Sequence, residues 1–204
     1  DNPLAGWKVL RDCLRPGGLM KIGLYSELAR QHIVEIRKEI DQLRIGSSGT
    51  EIRSFRDAII NSNKDPDKKI IKSPDFYSLS TLKDLLFHVQ EHRFTIPQIK
   101  ECLDELGLEF CGFEAPHKLA SHFKQSNTCS DDLYDLDKWH VYEQANPNAF
   151  AAMYQFWCQK TDQNLGPNHK VPDTKDLSYD QLKSLMELFS QQRFEQVFEQ
   201  GQKL

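Results

Sequence analysis

The sequence lacks several features that would assign a protein to a class directly. No window approaches the run of about 20 apolar residues that a membrane span needs. The net charge of −4 over 204 residues gives no general attraction to nucleic acid or to an anionic membrane, so we expect neither as a partner. No signal peptide opens the chain. It starts Asp1-Asn2-Pro3 without a methionine and reads like the middle of a larger protein.

Cysteine occurs in a pattern that builds neither a disulfide framework nor a zinc knuckle. The number is odd, the spacings are irregular and no Cys-x-x-Cys pair occurs. Three of them lie inside apolar runs, where cysteine behaves as a small buried hydrophobe. These observations predict a reducing compartment, the cytoplasm. The five cysteines are Cys13, Cys102, Cys111, Cys129 and Cys158.

Hydrophobic residues make up 39% of the chain and charged residues 27%, which is typical of a globular protein. The first segment, Leu4–Leu14, predicts a short helix with Asp1 or Asn2 as its cap. A Pro-Gly-Gly turn follows, in which Pro16 forbids continuation of the helix. The apolar run Leu19–Ser26 after this turn predicts a buried strand.

Helical periodicity is the main pattern in the segment from about residue 27 to residue 94. Leu28, Ile33, Ile36, Ile40 and Leu43 mark one apolar face, which predicts a helix from Ser26 to Leu43 with Ser26 as its cap. A second helix is predicted at Thr50–Asn61 and a third at Leu79–Arg93. The lysine-rich stretch Asn61–Pro74 reads as a surface loop. Interleaved acidic residues and a lack of aromatics argue against a nucleic-acid patch there.

The next part of the chain predicts two further strands separated by helices. A helix begins at the Thr95 cap and ends at Gly107. Leu108–Glu114 follows as a strand, and Pro116–Ala145 is expected to be mostly helical. Met153–Lys160 is rich in aromatics and predicts a third strand, with a helix as the alternative.

This order of elements resembles the late part of class I S-adenosylmethionine-dependent methyltransferases. The segment LRPGGLMKIGLYS is similar to the turn and fifth strand of that family. Leu108–Glu114 resembles the sixth strand, and Met153–Lys160 the antiparallel seventh, which inserts between the other two. The resemblance covers residues 1–160. It implies an α/β, helix-rich fold that contains the last three strands of a Rossmann-like methyltransferase sheet and a large helical insertion at about 27–94.

Other stretches narrow the resemblance to a bacterial subgroup in which the methyltransferase is fused to tetratricopeptide repeats. These stretches are DFYSLSTLKDLLFHVQEHRFT and NPNAFAAMYQFWCQK. A polar linker is predicted at 161–176. Residues 177–204 resemble the start of a repeat, although Val197 stands where a small alanine is usual. About three repeats are needed to bury the stacking faces, so both chain ends are expected to be cuts.

The resemblance implies S-adenosylmethionine as the cofactor of the full-length protein. The family holds it with a glycine-rich loop after the first strand and an acidic residue that ends the second. No Gly-x-Gly-x-Gly occurs here, and Gly17-Gly18 precede a strand. We therefore expect no cofactor in this chain and no activity of the chain alone. A small molecule, a sugar, a lipid and a protein all remain open as the methyl acceptor.

The end of the first strand is the predicted substrate side. Ligands of open α/β sheets bind beyond the carboxyl ends of the parallel strands. Tyr25, Ser26 and Arg30 occupy that position, so we predict that they bind substrate together with Arg93. The alternative is that Ser26 is a helix cap and Tyr25 a core residue.

The sequence His88-Val89-Gln90-Glu91-His92 matches the His-x-x-Glu-His pattern of inverted zinc peptidases. On a helix its histidines lie one turn apart, as metal ligands can. No third ligand pattern follows, and a solvated or packed histidine pair is the ordinary alternative. We favour a non-metal interpretation, in which the helical insertion covers the substrate pocket. His88, Glu91 and His92 then serve catalysis, with a histidine as general base.

Three functions therefore compete: a methyltransferase fragment, a helical protein–protein interaction module and, less favoured, a zinc-dependent hydrolase. The repeats imply a protein partner by family analogy. Without its neighbouring strand, Leu19–Ser26 would expose an apolar edge. Such an edge pairs readily with another chain, so we expect the fragment to self-associate.

Overall fold

A computed structural model describes residues 2–87, 91–127 and 129–161. The predicted linker and repeat, apart from Thr161, lie outside the described residues, as does His88. All described residues up to Lys160 belong to one compact unit. Its helices are α1 (Pro3–Cys13), α2 (Gln31–Leu43), α3 (Gly49–Ile60), α4 (Asp65–Ile70), α5 (Leu79–Phe87), α6 (Ile96–Leu106), α7 (His117–Ser126) and α8 (Leu136–Ala145). Its strands are β1 (Leu19–Ser26), β2 (Arg93–Phe94), β3 (Leu108–Phe113) and β4 (Tyr154–Lys160).

The fold is α/β, and its sheet is mixed. The strand order is β2-β1-β4-β3. β4 runs antiparallel to both β1 and β3, with Leu19 opposite Gln159 and Leu24 opposite Tyr154. β1 and β3 therefore point the same way on either side of β4. This is the order that the resemblance implies for the three predicted strands, and the helical alternative for Met153–Lys160 is wrong.

Local signals determine the chain path into β1 as predicted. The Asn2 side chain accepts a hydrogen bond from the Leu4 amide at 3.0 Å and caps α1. At the turn, Gly17 has a positive φ of 70°, which a residue with a side chain rarely adopts. A Cβ on Gly18 would lie 2.8 Å from the Arg15 carbonyl oxygen. The Gly17 amide also donates to the Lys160 carbonyl, so the turn joins the start of β1 to the end of β4.

The sheet packs one face against helices. Alternate residues of a strand share a face, and the buried Tyr154, Phe156 and Cys158 of β4 form such a row. They belong to an apolar core with side chains of α1, α6, α7 and α8. Within it, the rings of Phe123 and Trp139 stack with their centroids 3.7 Å apart. Within the described residues, no helix is long and apolar enough to cross a membrane.

Helices α2 to α5 form a second apolar core of their own. A capping box between Ser48 and Glu51 starts α3. The middle of the predicted surface loop Asn61–Pro74 is the short helix α4, so the loop prediction is wrong for Asp65–Ile70. Acidic residues in the first turn favour a helix start there, and Ile70 anchors the helix. The buried members of this core are Ile33, Ile36, Ile40, Ile52, Phe55, Ile59, Ile70, Phe76, Leu82 and Leu86.

Two helix boundaries also differ from the prediction. Residues 27–30 form a turn before α2 rather than its first turn, and Leu43 at the end of α2 is exposed. The third predicted helix does not reach Arg93, because Arg93 and Phe94 pair in parallel with the end of β1. Strand pairing with a distant segment therefore overrides the helical periodicity at that point.

We predict that replacing Ile70 with alanine destabilises the protein by about 3 kcal/mol, because Ile70 is fully buried and the truncation leaves a cavity. Ile60→Ala is the matched control, since Ile60 is half exposed, and it should change stability by less than about 0.5 kcal/mol. Urea denaturation followed by circular dichroism measures both. Equal effects of the two variants would contradict the packing of α4.

Candidate functional site

Predicted site residues converge at the carboxyl end of β1. Tyr25 and Ser26 are the last two residues of this strand. β2 pairs with them in parallel, which places Arg93 opposite Tyr25. Arg30 ends the turn that follows β1, and Glu91 lies two residues before β2. The structure therefore brings together five residues that are predicted to bind substrate or serve catalysis.

Glu91 is the centre of an arginine cluster. Its two carboxylate oxygens accept from Nε and Nη2 of Arg30 at 2.9 and 2.7 Å. Nη2 of Arg37 lies 3.2 Å from Oε2, and Nη1 of Arg93 lies 3.7 Å from Oε1. Arg37 also donates twice to the Leu85 carbonyl in α5. Both oxygens of Glu91 are thus already engaged, which favours a positioning role over proton transfer.

Arg30 lies between this carboxylate and an aromatic ring. Its Cζ atom is 3.9 Å from the centroid of the Tyr25 ring, a distance suited to a cation–π contact. Its side chain is 9% exposed and that of Glu91 is 7% exposed. In contrast, Glu27 is 37% exposed and accepts from Nε of Arg93 at 2.9 Å. The cluster therefore has a buried centre and a solvent-accessible rim.

A second polar group lies on the other side of Ser26. The Ser26 hydroxyl donates to Oε1 of Glu143 at 2.7 Å, and the Tyr154 hydroxyl donates to the same oxygen at 2.6 Å. All three residues are buried. Burial and the hydrogen bond to Glu143 raise the pKa of the Tyr154 phenol. Ser26 therefore serves this buried network, and its hydroxyl is not presented to a ligand.

Sequence reasoning missed Glu143 and Tyr154. A signal for Glu143 does exist, because it shares the buried face of α8 with Trp139 and Tyr142. A carboxylate on an apolar helix face needs a partner. No pattern in the sequence indicates that the partners come from β1 and β4.

The zinc interpretation finds no support in the described residues. Glu91 and His92 lie outside the helix, so the helical spacing that the motif requires is not present for them. Glu91 is engaged by arginines, and His92 is exposed. Within the described ranges, no group of three or more His, Cys, Asp or Glu residues is placed to hold a metal ion. His88 lies outside those ranges, and a general-base role for either histidine stays a prediction.

Gly17 and Gly18 are not placed as a nucleotide-binding glycine loop. Gly17 and Gly18 lie at the amino end of β1, at the opposite end of the strand from the arginine cluster. Their backbone closes the turn and bonds to Lys160. The glycines therefore have a structural use that leaves them unable to cradle a phosphate or a ribose.

Comparisons with known proteins identify distant similarities. No protein-family model matches the chain. The uncharacterized protein syc1184_c of Synechococcus sp. is 25% identical over 158 residues, which cover 70% of this chain and 36% of that protein. The structure of PKMT2 from Rickettsia typhi aligns with a TM-score of 0.49 and 15% identity, over 85% of this chain and 34% of that one. The chain thus spans about a third of each of these two proteins.

We predict that Glu91→Gln destabilises the protein by about 3 kcal/mol, because it leaves the Arg30 guanidinium buried without a matching charge. Glu27→Gln is the control. It breaks an ion pair at the exposed rim and should cost less than about 1 kcal/mol. Chemical denaturation measures both variants, and a small effect of Glu91→Gln would show that the buried Arg30 guanidinium does not depend on the Glu91 charge.

Proposed function

We propose that this chain is the carboxyl-terminal part of a class I S-adenosylmethionine-dependent methyltransferase. In this proposal the end of β1 and the helices α2 to α5 form the acceptor side of the active site. The observation that carries the proposal is the convergence of Tyr25, Arg30, Glu91 and Arg93 at the carboxyl end of β1. Ligands of open α/β sheets bind at that end, and the strand order β1-β4-β3 agrees with the resemblance.

The geometry divides the predicted site residues into two groups. The side chains of Ser26, Arg30 and Glu91 are buried, and Arg30 bonds directly to the Glu91 carboxylate and to the Ser26 carbonyl, so these residues hold the turn in place. Tyr25 and Arg93 are partly exposed and are free to contact an acceptor while keeping their present bonds. Glu27 joins this second group, because it is accessible and is held by Arg93.

His92 is the proposed general base. Its imidazole is exposed beside β2, and a neutral imidazole can accept a proton from an attacking nucleophile near neutral pH. Glu91 directly precedes it and is held by the arginine cluster. The cluster thereby anchors the backbone that carries His92.

Cofactor binding belongs, in this proposal, to a part of the protein outside this chain. The glycines at the β1 turn are occupied structurally, and the chain spans about a third of the two proteins described above. S-adenosylmethionine would supply the methyl group in the complete protein, and the chain alone would be inactive.

A cofactor-binding experiment tests the proposal. Isothermal titration calorimetry compares S-adenosylmethionine binding to the 204-residue chain and to the complete gene product. We expect the complete protein to bind and the chain to bind at least about 100-fold more weakly. Absence of binding to the complete protein would overturn the proposal.

The assay for catalysis is transfer of a radiolabelled methyl group by the complete protein into a bacterial extract. His88→Ala and His92→Ala should each lower turnover, and His117→Ala is the matched control because His117 is exposed at the start of α7. Unchanged turnover in both site variants would remove the histidines from the mechanism.

A protein–protein interaction module is the second candidate function. The separate apolar core of α2 to α5 favours it, because such a core lets the helices present a stable surface. The calorimetric experiment separates the two candidates. A complete protein that folds but does not bind S-adenosylmethionine would favour the module.

We also propose that the isolated chain self-associates through β1. β2 covers the outer edge of β1 only at Tyr25 and Ser26, and no other described strand pairs with that edge. The backbone groups of residues 19–24 that face away from β4, with which no described strand pairs, can bond to a second copy. Light scattering should show a mass above that of the 23.7 kDa monomer at high concentration. A monomer throughout the concentration range would contradict this.

A further inference from the structure

Glu143 is a buried carboxylate with an unusual set of partners. It is 1% exposed, and the partners of Oε1 in the described part of the chain are hydroxyl groups from two other elements. Removing a carboxylate from water costs several kcal/mol unless it is well bonded. An apolar residue would pack α8 against the sheet at lower cost. The carboxylate is therefore expected to serve something other than packing.

The hydrogen bonds have a defined direction. Tyr154 Oη lies 2.6 Å from Glu143 Oε1 but 3.1 Å from Ser26 Oγ, so its proton is directed mainly to the carboxylate. Ser26 also donates to Glu143. Because the Ser26 hydroxyl donates its proton to Glu143, the lone pairs of Ser26 Oγ remain available to accept a hydrogen bond. The Ala29 amide donates this bond, with its nitrogen 3.1 Å from Ser26 Oγ.

These bonds connect α8 and β4 to the turn after β1. The Ser26 side chain is bonded to the Ala29 amide, and the Ser26 carbonyl accepts from the Arg30 amide at 3.2 Å. The turn thus has one side-chain and one backbone restraint, both centred on Ser26. The same turn carries Glu27 and Arg30, whose side chains hold Arg93 and Glu91.

We propose that Glu143 and Tyr154 are positioning residues of the acceptor site. They orient the Ser26 hydroxyl, which fixes the turn 27–30 and, through it, the accessible rim formed by Glu27 and Arg93. The assignment of this rim to a methyl acceptor rests on the proposed function. The mechanical part, that Glu143 and Tyr154 order the turn, is independent of it.

Amide hydrogen exchange measured by NMR on the 204-residue chain tests the mechanical part. The variants are Glu143→Gln, Tyr154→Phe and Ser26→Ala. Each removes or weakens one member of the network, so the Ala29 and Arg30 amides should exchange about tenfold faster, as expected for loss of one hydrogen bond. Amides in the middle of α2, such as that of Ile36, should keep their rates.

Phe150→Leu is the matched control. The Phe150 ring lies 4.8 Å from that of Tyr154 between centroids, but it has no part in the hydroxyl network. The Phe150→Leu variant should accelerate amide hydrogen exchange across the core without a preference for the turn 27–30. Unchanged rates at Ala29 and Arg30 in the network variants, or a uniform increase like that of the control, would overturn the proposal. If Glu143→Gln does not fold, Tyr154→Phe provides the same comparison with a smaller change.

The acceptor part is tested in the complete protein. Glu143→Gln should lower methyl transfer into the bacterial extract at least about tenfold, with an unchanged dissociation constant for S-adenosylmethionine. Loss of ordering at the turn with unaltered methyl transfer would overturn the role at the acceptor site. An inactive wild-type protein would count against the proposed function, while the exchange data would still decide the role of the network.

Discussion

The buried ion pair between Arg30 and Glu91 joins the chain segment that enters helices α2 to α5 to the segment that leaves them. Arg30 lies just before α2 and Glu91 follows α5, so the pair closes the base of the second apolar core. The same two segments meet the sheet, where β1 and β2 pair. An ion pair of this kind contributes little net stability compared with apolar packing, but a break in it is costly.

The two ends of β1 have different chemistry, and this asymmetry organises the molecule. At the amino end, Gly17 and Gly18 close a compact backbone turn against the end of β4. At the carboxyl end, two polar networks flank Ser26, one centred on Glu91 and one on Glu143. The buried carboxylates of these networks orient the side chains of Ser26 and Arg30. The carboxyl end of β1 is therefore the part of the described structure where hydrogen bonds between distant residues fix side-chain positions.

Local features of the sequence were sufficient for much of the fold. The cap of α1 at Asn2, the Pro-Gly-Gly turn, the Thr95 cap and the Gly107 stop all act within a few residues, and each is present among the predicted features. These signals can be read without the rest of the chain, because their partners are neighbours in sequence. The apolar runs of β1 and β3 also predicted strands, whereas the run of β4 left a helix as the alternative, and its pairing with both neighbours decides for the strand.

Features that depend on distant partners could not be predicted. The helical pattern continued to Arg93, yet pairing with β1 made that residue part of a strand. The short α4 looked like a polar loop, because its local helix signals are few and the packing of Ile70 in the second core adds to them. For the site, the sequence placed Tyr25, Ser26, Arg30 and Arg93 near one strand end. The alternative of a cap for Ser26 agrees with its bond from the Ala29 amide, but nothing in the sequence indicated the bond to Glu143.

The tertiary structure decided the roles of these side chains. Ser26 bonds to Glu143 across 117 positions of the chain, and Tyr154 bonds to Ser26 across 128. Arg30 and Glu91 are 61 positions apart. The sequence by itself determined most of the helices and strands and the end of the sheet where polar residues gather, because those follow from local periodicity, turns and caps. Which polar groups are buried and bonded and which face solvent was decided by long-range packing, because burial is a property of the assembled fold.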